Sequence, residues 1–296
     1  ISDLTGIEDF TALTNLVCGN VFSDGENGFL WKNISSSEAV NEVALIAEKL
    51  KEDKRIKEKS SITLFKEFWP SSIEHTDILT SKGYKGFMID VNMVLRIHES
   101  WKTMEDYLFS MKTKFRTRFK SVHKKSSCLL IRVLCAAEIE EYSDRINTLF
   151  GNVIEKSEFV FGRLTAAAFV NFAKNLGDQF CLKGFFLKGE MVGFSTSFTN
   201  NGALEANYVG LDYKFNNKLS VYQRILYDYV EQSLKLGVSE LHLGRTAELI
   251  KSNIGAIPMN MKLYARHHKS VSNLLIKPII QSIAPNEFEL RKPFKS

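Results

Sequence analysis

Hydrophobic positions in this chain fall into short alternating runs set between longer stretches of helical spacing, which predicts strands interleaved with amphipathic helices. The clearest stretch begins at Ala203 and reads ALEANYVGLD, YKFNNKLS, VYQRILYDYVEQSLKLG and SELHLGRTAELIKSNIGA in succession. Its alternation, with Tyr, Val and Leu, predicts a half-buried strand over 203–212, and Gly210 marks a bulge or a close backbone approach. Lys214 to Ser220 reads as a polar loop. Ser220 and Gln223 have capping-box spacing, and Tyr222, Ile225, Leu226, Tyr229, Val230 and Ser233 recur at helical spacing, so a long helix is predicted up to Gly237.

The same reading extends along the chain. A short apolar strand near Leu16 leads into a glycine-rich loop. Ser35 and Glu38 form a capping box for a helix to about residue 50, with Val40, Val43, Ala44 and Ala47 as its buried stripe. Strands are predicted over 61–68 and 87–97, with a helix over 70–82 closed by Gly83. From 99 to 125 one long helix is expected. Leu108, Met111, Phe115, Phe119 and Val122 make its apolar stripe, and Lys112, Lys114, Arg116, Arg118, Lys120, Lys124 and Lys125 surround it. A strand over 128–134 and helices over 137–154 and 165–176 follow, the helices joined by EKSEFVFGR, whose aromatic residues are candidates to line a substrate entrance. Strands over 180–187, 191–199 and 203–212 then form an antiparallel meander. A strand over 258–267, a helix over 271–283 and a polar tail complete the chain.

Composition changes this picture little. The 296 residues, 44% hydrophobic and 25% charged, can bury a sizeable core, and a net charge of +5 permits a phosphate-bearing partner without requiring nucleic acid. Cys18, Cys128, Cys135 and Cys181 show no metal-ligand spacing, and are expected to be buried reduced thiols of a cytoplasmic protein. No metal site is expected. His267 and His268, as neighbours on a strand, face opposite ways and cannot form a two-ligand site by themselves. No apolar run approaches the roughly 18 residues of a membrane span.

Strand, polar loop and helix N-terminus in that order make an anion site, because unpaired backbone N–H groups and the positive helix end point at one spot. Phosphate is the natural guest. This order also resembles the way GNAT-superfamily acyltransferases hold the pyrophosphate of coenzyme A, although their glycine-containing loop pattern is absent from 214–220. Two motifs narrow the resemblance to the FemAB-like branch, which is related to peptidoglycan aminoacyl-transferases. Trp101, Tyr107 and Leu108 match a Trp-x-x-x-x-x-Tyr-Leu helix rich in Arg and Lys. Leu243, Gly244, Arg245, Thr246, Lys251 and Gly255 match a strand end followed by Lys and Gly.

The resemblance implies an α/β fold of tandem GNAT-like halves, each a mixed twisted sheet flanked by helices, divided here into 1–97 and 98–296. The first half is expected to lack its opening strands. The strand at 203–212 and the next parallel strand would splay, with Val209 and Leu211 offering backbone hydrogen bonds to the pantetheine arm. Lys214, Asn216, Asn217, Lys218 and Ser220 would take the phosphates. Glu205 and Tyr208 are candidate base and acid, equally readable as a surface carboxylate and a core tyrosine. Arg245 at a strand end and Lys251 on the following helix surface are expected to converge on an anionic group, with Thr246 as N-cap. The implied activity is N-acyl transfer from acyl-CoA to a small-molecule or peptidoglycan-precursor amine. Two alternatives stand beside it: aminoacyl-tRNA as donor, and a non-catalytic binding module on the same scaffold.

Overall fold

A computed structural model describes residues 14–20, 22–57, 60–156, 164–281 and 289–295. It divides into two compact units, residues 1–91 with 259–287 and residues 92–258 with 288–296.

In chain order the first unit contributes β1 (Thr14–Cys18), α1 (Ser36–Glu52), α2 (Lys54–Lys57), β2 (Ser60–Phe68), a 3-10 segment (Pro70–Thr76), α3 (Asp77–Ser81) and the start of β3 (Lys85–Arg96). The second holds α4 (Met104–Ser110), α5 (Thr113–Lys125), β4 (Leu130–Val133), α6 (Ala136–Glu141), α7 (Ser143–Ile154) and α8 (Ala166–Asn175). It continues with β5 (Phe180–Leu187), β6 (Glu190–Asn200), β7 (Ala203–Leu211), α9 (Tyr213–Leu219), α10 (Val221–Leu236), β8 (Glu240–His242) and α11 (Glu248–Ser252). Strand β9 (Ile257–His267) and α12 (Ser270–Gln281) close the series. The fold is mixed α/β. The order strand, helix, strand, helix, strand occurs from β1 to β3 and again from β7 to β9.

In the first unit β1 pairs in parallel with β2, and β2 antiparallel with β9. The expected capping box at Ser35 and Glu38 starts α1, whose Val40, Ala44 and Ala47 pack with Phe65, Leu79, Tyr84 and Tyr264 into one core. In the second unit the strand order is β3-β8-β7-β6-β5-β4, with β7 and β8 parallel and the other neighbours antiparallel. Two cores cover its faces. Helix α10 buries Val221, Ile225, Leu226, Tyr229 and Val230 in one of them, and α6, α7 and α8 enclose the aromatic Phe169, Phe180, Phe186 and Phe194 in the other.

Three expectations are corrected here. The single helix over 99–125 is two, because Met111 and Lys112 turn extended (ψ 151° and 148°) and Met111 bridges to Phe294 while Lys112 N–H donates to the Pro293 carbonyl at 2.8 Å. The tail that looked merely polar thus docks on the second unit. The helix over 137–154 is likewise interrupted at Tyr142, whose ring packs edge-on against Phe186. The cysteines are not buried as expected: Cys128 and Cys135 are exposed and Cys18 and Cys181 half-buried, since Cys128 lies in the turn after α5 and Cys135 at the N-cap of α6 rather than inside strands. Most of EKSEFVFGR, from 157 to 163, lies outside the described residues.

Candidate functional site

The carboxyl ends of β7 and β8 define the candidate site of the second unit. The two strands pair only from Ala203↔Glu240 to Glu205↔His242. Beyond His242 the chain follows β3 instead: Leu243 N–H donates to Met93 O (2.8 Å), Met93 N–H to Gly244 O (3.1 Å) and Gly244 N–H to Asn92 Oδ1 (3.0 Å). Strand β7 runs on to Leu211 paired with β6 alone, so the expected splaying is present. Asp212 N–H donates to Val192 O at 2.9 Å, which sets the phase of the β6–β7 ladder. By antiparallel alternation, the backbone groups of Val209 and Leu211 then turn away from β6 and toward the gap. The Leu211 carbonyl is taken by Asn152 Nδ2 at 3.0 Å.

The bulge lies at a different residue from the one expected. Register shifts between Ser195 and Ser197, so the extra residue falls near Asn207–Tyr208, where Thr196 Oγ1 accepts from Tyr208 N–H at 2.9 Å. Gly210 serves the other expected role, close approach: a Cβ there would sit 2.1 Å from the Phe194 ring. The bulge reverses the side-chain alternation, so Glu205 and Tyr208 share a face. Tyr208 packs with Phe150 and Phe169 at 5.7 and 5.5 Å between ring centroids, as a core tyrosine does. Glu205 stands opposite His242 at the point where the strands part.

The polar loop at 214–220 is corrected to a helix. Asp212 caps α9 by accepting from Lys214 N–H at 3.0 Å, and Phe215 and Leu219, one helical turn apart, pack against the core. Ser220 does not form the expected box with Gln223. It adopts a left-handed conformation (φ 55°) with no side-chain cap, and Asn216 Oδ1 accepts from Tyr222 N–H at 2.9 Å in its place. Of the residues expected to take phosphates, Lys214, Asn217 and Lys218 are exposed, Ser220 is buried and Asn216 is engaged as this cap. Asn216→Ala is therefore expected to lower stability by about 1 kcal/mol. Urea unfolding of this variant checks it.

Lys251 is not on the helix surface. It is 4% exposed, and its Nζ donates to the carbonyls of Gly244 (3.2 Å) and Arg245 (2.5 Å). Thr246 is not the N-cap; Ala247 holds that place, and both are left-handed (φ 63° and 53°). Lys251 thus fastens the turn at Gly244 and Arg245. The two motifs of the resemblance meet here. Buried Tyr107 donates its hydroxyl to Ile254 O at 2.7 Å, and Trp101 and Tyr107 both pack on Phe294, against which Gly255 closes.

Sequence reasoning missed Tyr222, which it placed only in the helical stripe. Burial pushes its hydroxyl well above the usual tyrosine range, and Tyr213 and Glu248 add to the shift. Tyr213, itself raised by burial, carries Lys156 over its ring at 3.5 Å. Tyr222 therefore keeps its proton at neutral pH. Asp212 also pairs with Arg145 at 2.8 Å, which ties the start of α9 to α7. Helix α5 packs beside α9 and α10, with Lys114, Arg118, Lys120, Lys124 and Lys125 exposed. Among the described residues no cluster of His, Cys, Asp or Glu has metal-binding geometry, and no helix is long and apolar enough to cross a membrane.

This architecture, a mixed sheet whose parallel pair parts ahead of a capped helix, is the GNAT-type fold expected from the two motifs. Similar solved structures include FemX, at 11% identity over 90% of this chain and 83% of that one with a TM-score of 0.58. Others are the C-terminal domain of a putative lysylphosphatidylglycerol synthetase from Agrobacterium fabrum (9% identity, 82% and 77% covered, TM-score 0.55) and L-PGS from Bacillus licheniformis (13%, 82% and 78%, 0.51). No protein-family model and no curated protein matches the chain by sequence.

Proposed function

We propose that this protein is an N-acyltransferase that holds its activated acyl donor in the gap between β7 and β8 and transfers the acyl group to an amine. The observation that carries this reading is the parting of β7 from β8 after Glu205 and His242, which leaves the Val209 backbone facing the gap. Ligands of open α/β sheets bind at such strand ends. Glu205, at the root of the gap, is the candidate base that deprotonates the attacking amine. Tyr222, kept protonated by burial, is the candidate donor to the oxyanion or leaving group in place of Tyr208, whose ring is packed in the core. Arg245 and Lys251 remain candidates for anion recognition, Lys251 through the turn it fastens.

Acyl-CoA and aminoacyl-tRNA are both activated acyl donors. Helix α9 favours the second. It replaces the pyrophosphate cradle with a helix whose start carries the Asp212 carboxylate, and Asn216 already occupies one amide at the start of α10. The exposed lysines and arginine of α5 supply a phosphate-tracking face in the same unit. The acceptor class is an amine, with a peptidoglycan precursor as the one implied by the resemblance.

The test is direct. Filter binding of tRNA between about 50 and 200 mM salt is expected to weaken steeply, and replacing Lys120 and Lys124 by Ala should reduce the log–log slope by about 2. Charged tRNA with a labelled amino acid should then give amine-linked product. If CoA instead stabilises the protein by about 2.7 kcal/mol at a hundred times its dissociation constant while tRNA does not bind, the donor is acyl-CoA. Binding of both without product from either would leave a binding module.

A further inference from the structure

The first unit holds a pocket that the proposed transfer does not use. It lies past the carboxyl ends of the parallel strands β1 and β2, has a volume of about 130 Å³, and is lined by Glu26, Trp31, Lys66, Glu67, Phe68 and His75 among others. Its position follows from register. The last β1–β2 pair is Cys18↔Phe65, and the β2–β9 ladder is irregular between Phe65 and Phe68. Lys66 and Glu67 therefore fall outside regular pairing on both sides, and both side chains are buried at the pocket wall. Ligands of parallel strands bind at this end, where chain crossovers leave a crevice.

The charges on the wall select the guest. Lys66 Nζ lies 3.1 Å from Glu67 Oε1 and also donates to Asn20 O at 3.0 Å, while Glu67 Oε2 accepts from Gly25 N–H at 3.3 Å. Lys66 and Glu67 thus pair with each other. Glu26 Oε1 accepts from Trp69 N–H at 2.7 Å, and among the described residues no cation lies within salt-bridge distance of Glu26. His75 sits at 3.5 Å from Glu74. Among the described residues the lining thus holds two carboxylates, Glu26 and Glu67, and one lysine, Lys66, and its aromatic part includes Trp31 and Phe68. An anion would meet two carboxylates there. A compact cation meets a carboxylate and aromatic faces, which attract ammonium groups through the ring quadrupole.

We infer that this pocket binds a small primary ammonium compound, its cationic head at Glu26 and its short apolar body against Trp31 and Phe68. The site is separate from the gap between β7 and β8, so it stands whether the acyl donor proves to be tRNA-borne, CoA-borne or neither.

The chain has three tryptophans, and these make the test local: Trp31 lines the pocket, Trp69 stands beside it over Gly25, and Trp101 belongs to the second unit. Propylammonium chloride is titrated into the full ¹⁵N-labelled chain at constant ionic strength, with sodium propionate and inorganic phosphate as controls, and the indole N–H signals are followed. The expected result is a saturable shift of Trp31 with propylammonium, no comparable shift of Trp101, and none of Trp31 with either anion. Glu26→Gln, which keeps the acceptor for Trp69 N–H, should weaken the affinity about tenfold. A stronger Trp31 response to propionate or phosphate makes this an anion site and overturns the assignment. So does the absence of a saturable shift below about 10 mM propylammonium, or an affinity unchanged in folded Glu26→Gln.

Discussion

Lys251→Met lowers the unfolding free energy of the second unit by about 2–3 kcal/mol, measured as a reduced urea midpoint at unchanged slope. Two effects oppose each other in this number. The buried ammonium makes charge-assisted hydrogen bonds to Gly244 O and Arg245 O, each worth about 1.5–3 kcal/mol when its partner is left behind. Against that, methionine removes the cost of keeping a charge out of water while filling most of the same volume. Gly244 O keeps the Met93 N–H, so the loss is concentrated at Arg245 O and the left-handed turn that follows it. That turn contains Arg245, a candidate for anion recognition, so under the proposed function turnover should fall together with stability. An unchanged urea midpoint accompanied by lost turnover would instead return Lys251 to a direct role at the reacting group.

Gly255→Ala should destabilise the same unit by about 3 kcal/mol. Gly255 has φ +95°, a conformation that an L side chain adopts at a cost of about 1–2 kcal/mol. The added methyl would also lie 2.2 and 2.4 Å from two atoms of the Phe294 ring, and relieving such a contact costs about 1–3 kcal/mol more. Phe294 cannot retreat freely, because Trp101 and Tyr107 pack on it. Combining Gly255→Ala with Phe294→Leu separates the two contributions. About 1 kcal/mol should be recovered relative to the sum of the single variants if the clash matters; strict additivity would leave backbone strain as the whole cause.

Both predictions concern residues of the motifs that carry the resemblance to FemAB-like proteins, and both assign them to the frame around the site. Tyr107 and Ile254 are joined by a hydrogen bond across 147 positions of sequence, and Trp101, Phe294 and Gly255 close around it. These letters identify the fold because they hold two distant segments of it together. They say little about the donor or the acceptor, which under the proposed function fall to the exposed charges of α5, the gap beside Val209 and the hydroxyl of Tyr222.

Periodicity in the sequence determined the elements whose faces are set locally. The strands at β2, β3, β5, β6, β7 and β9, the capped start of α1 and the length of α10 follow from alternation, capping spacing and a 3.6-residue stripe, all of which act between near neighbours. The helical turn from Phe215 to Leu219 was also written in the chain, in Asp212 and that i, i+4 pair, but its polar letters read as a loop. Only the tertiary structure decided the rest. It broke the helix at Met111 by pairing that residue with Phe294, parted β8 from β7 by drawing Leu243 and Gly244 onto β3, and buried Lys251 under carbonyls that a left-handed turn brings above it. It also gathered Glu26, Trp31 and Glu67 around one pocket from two separate stretches of the first unit. Whether a polar side chain is buried, and what satisfies it there, depends on groups supplied by other parts of the fold, and local hydrophobic patterning carries no record of those partners.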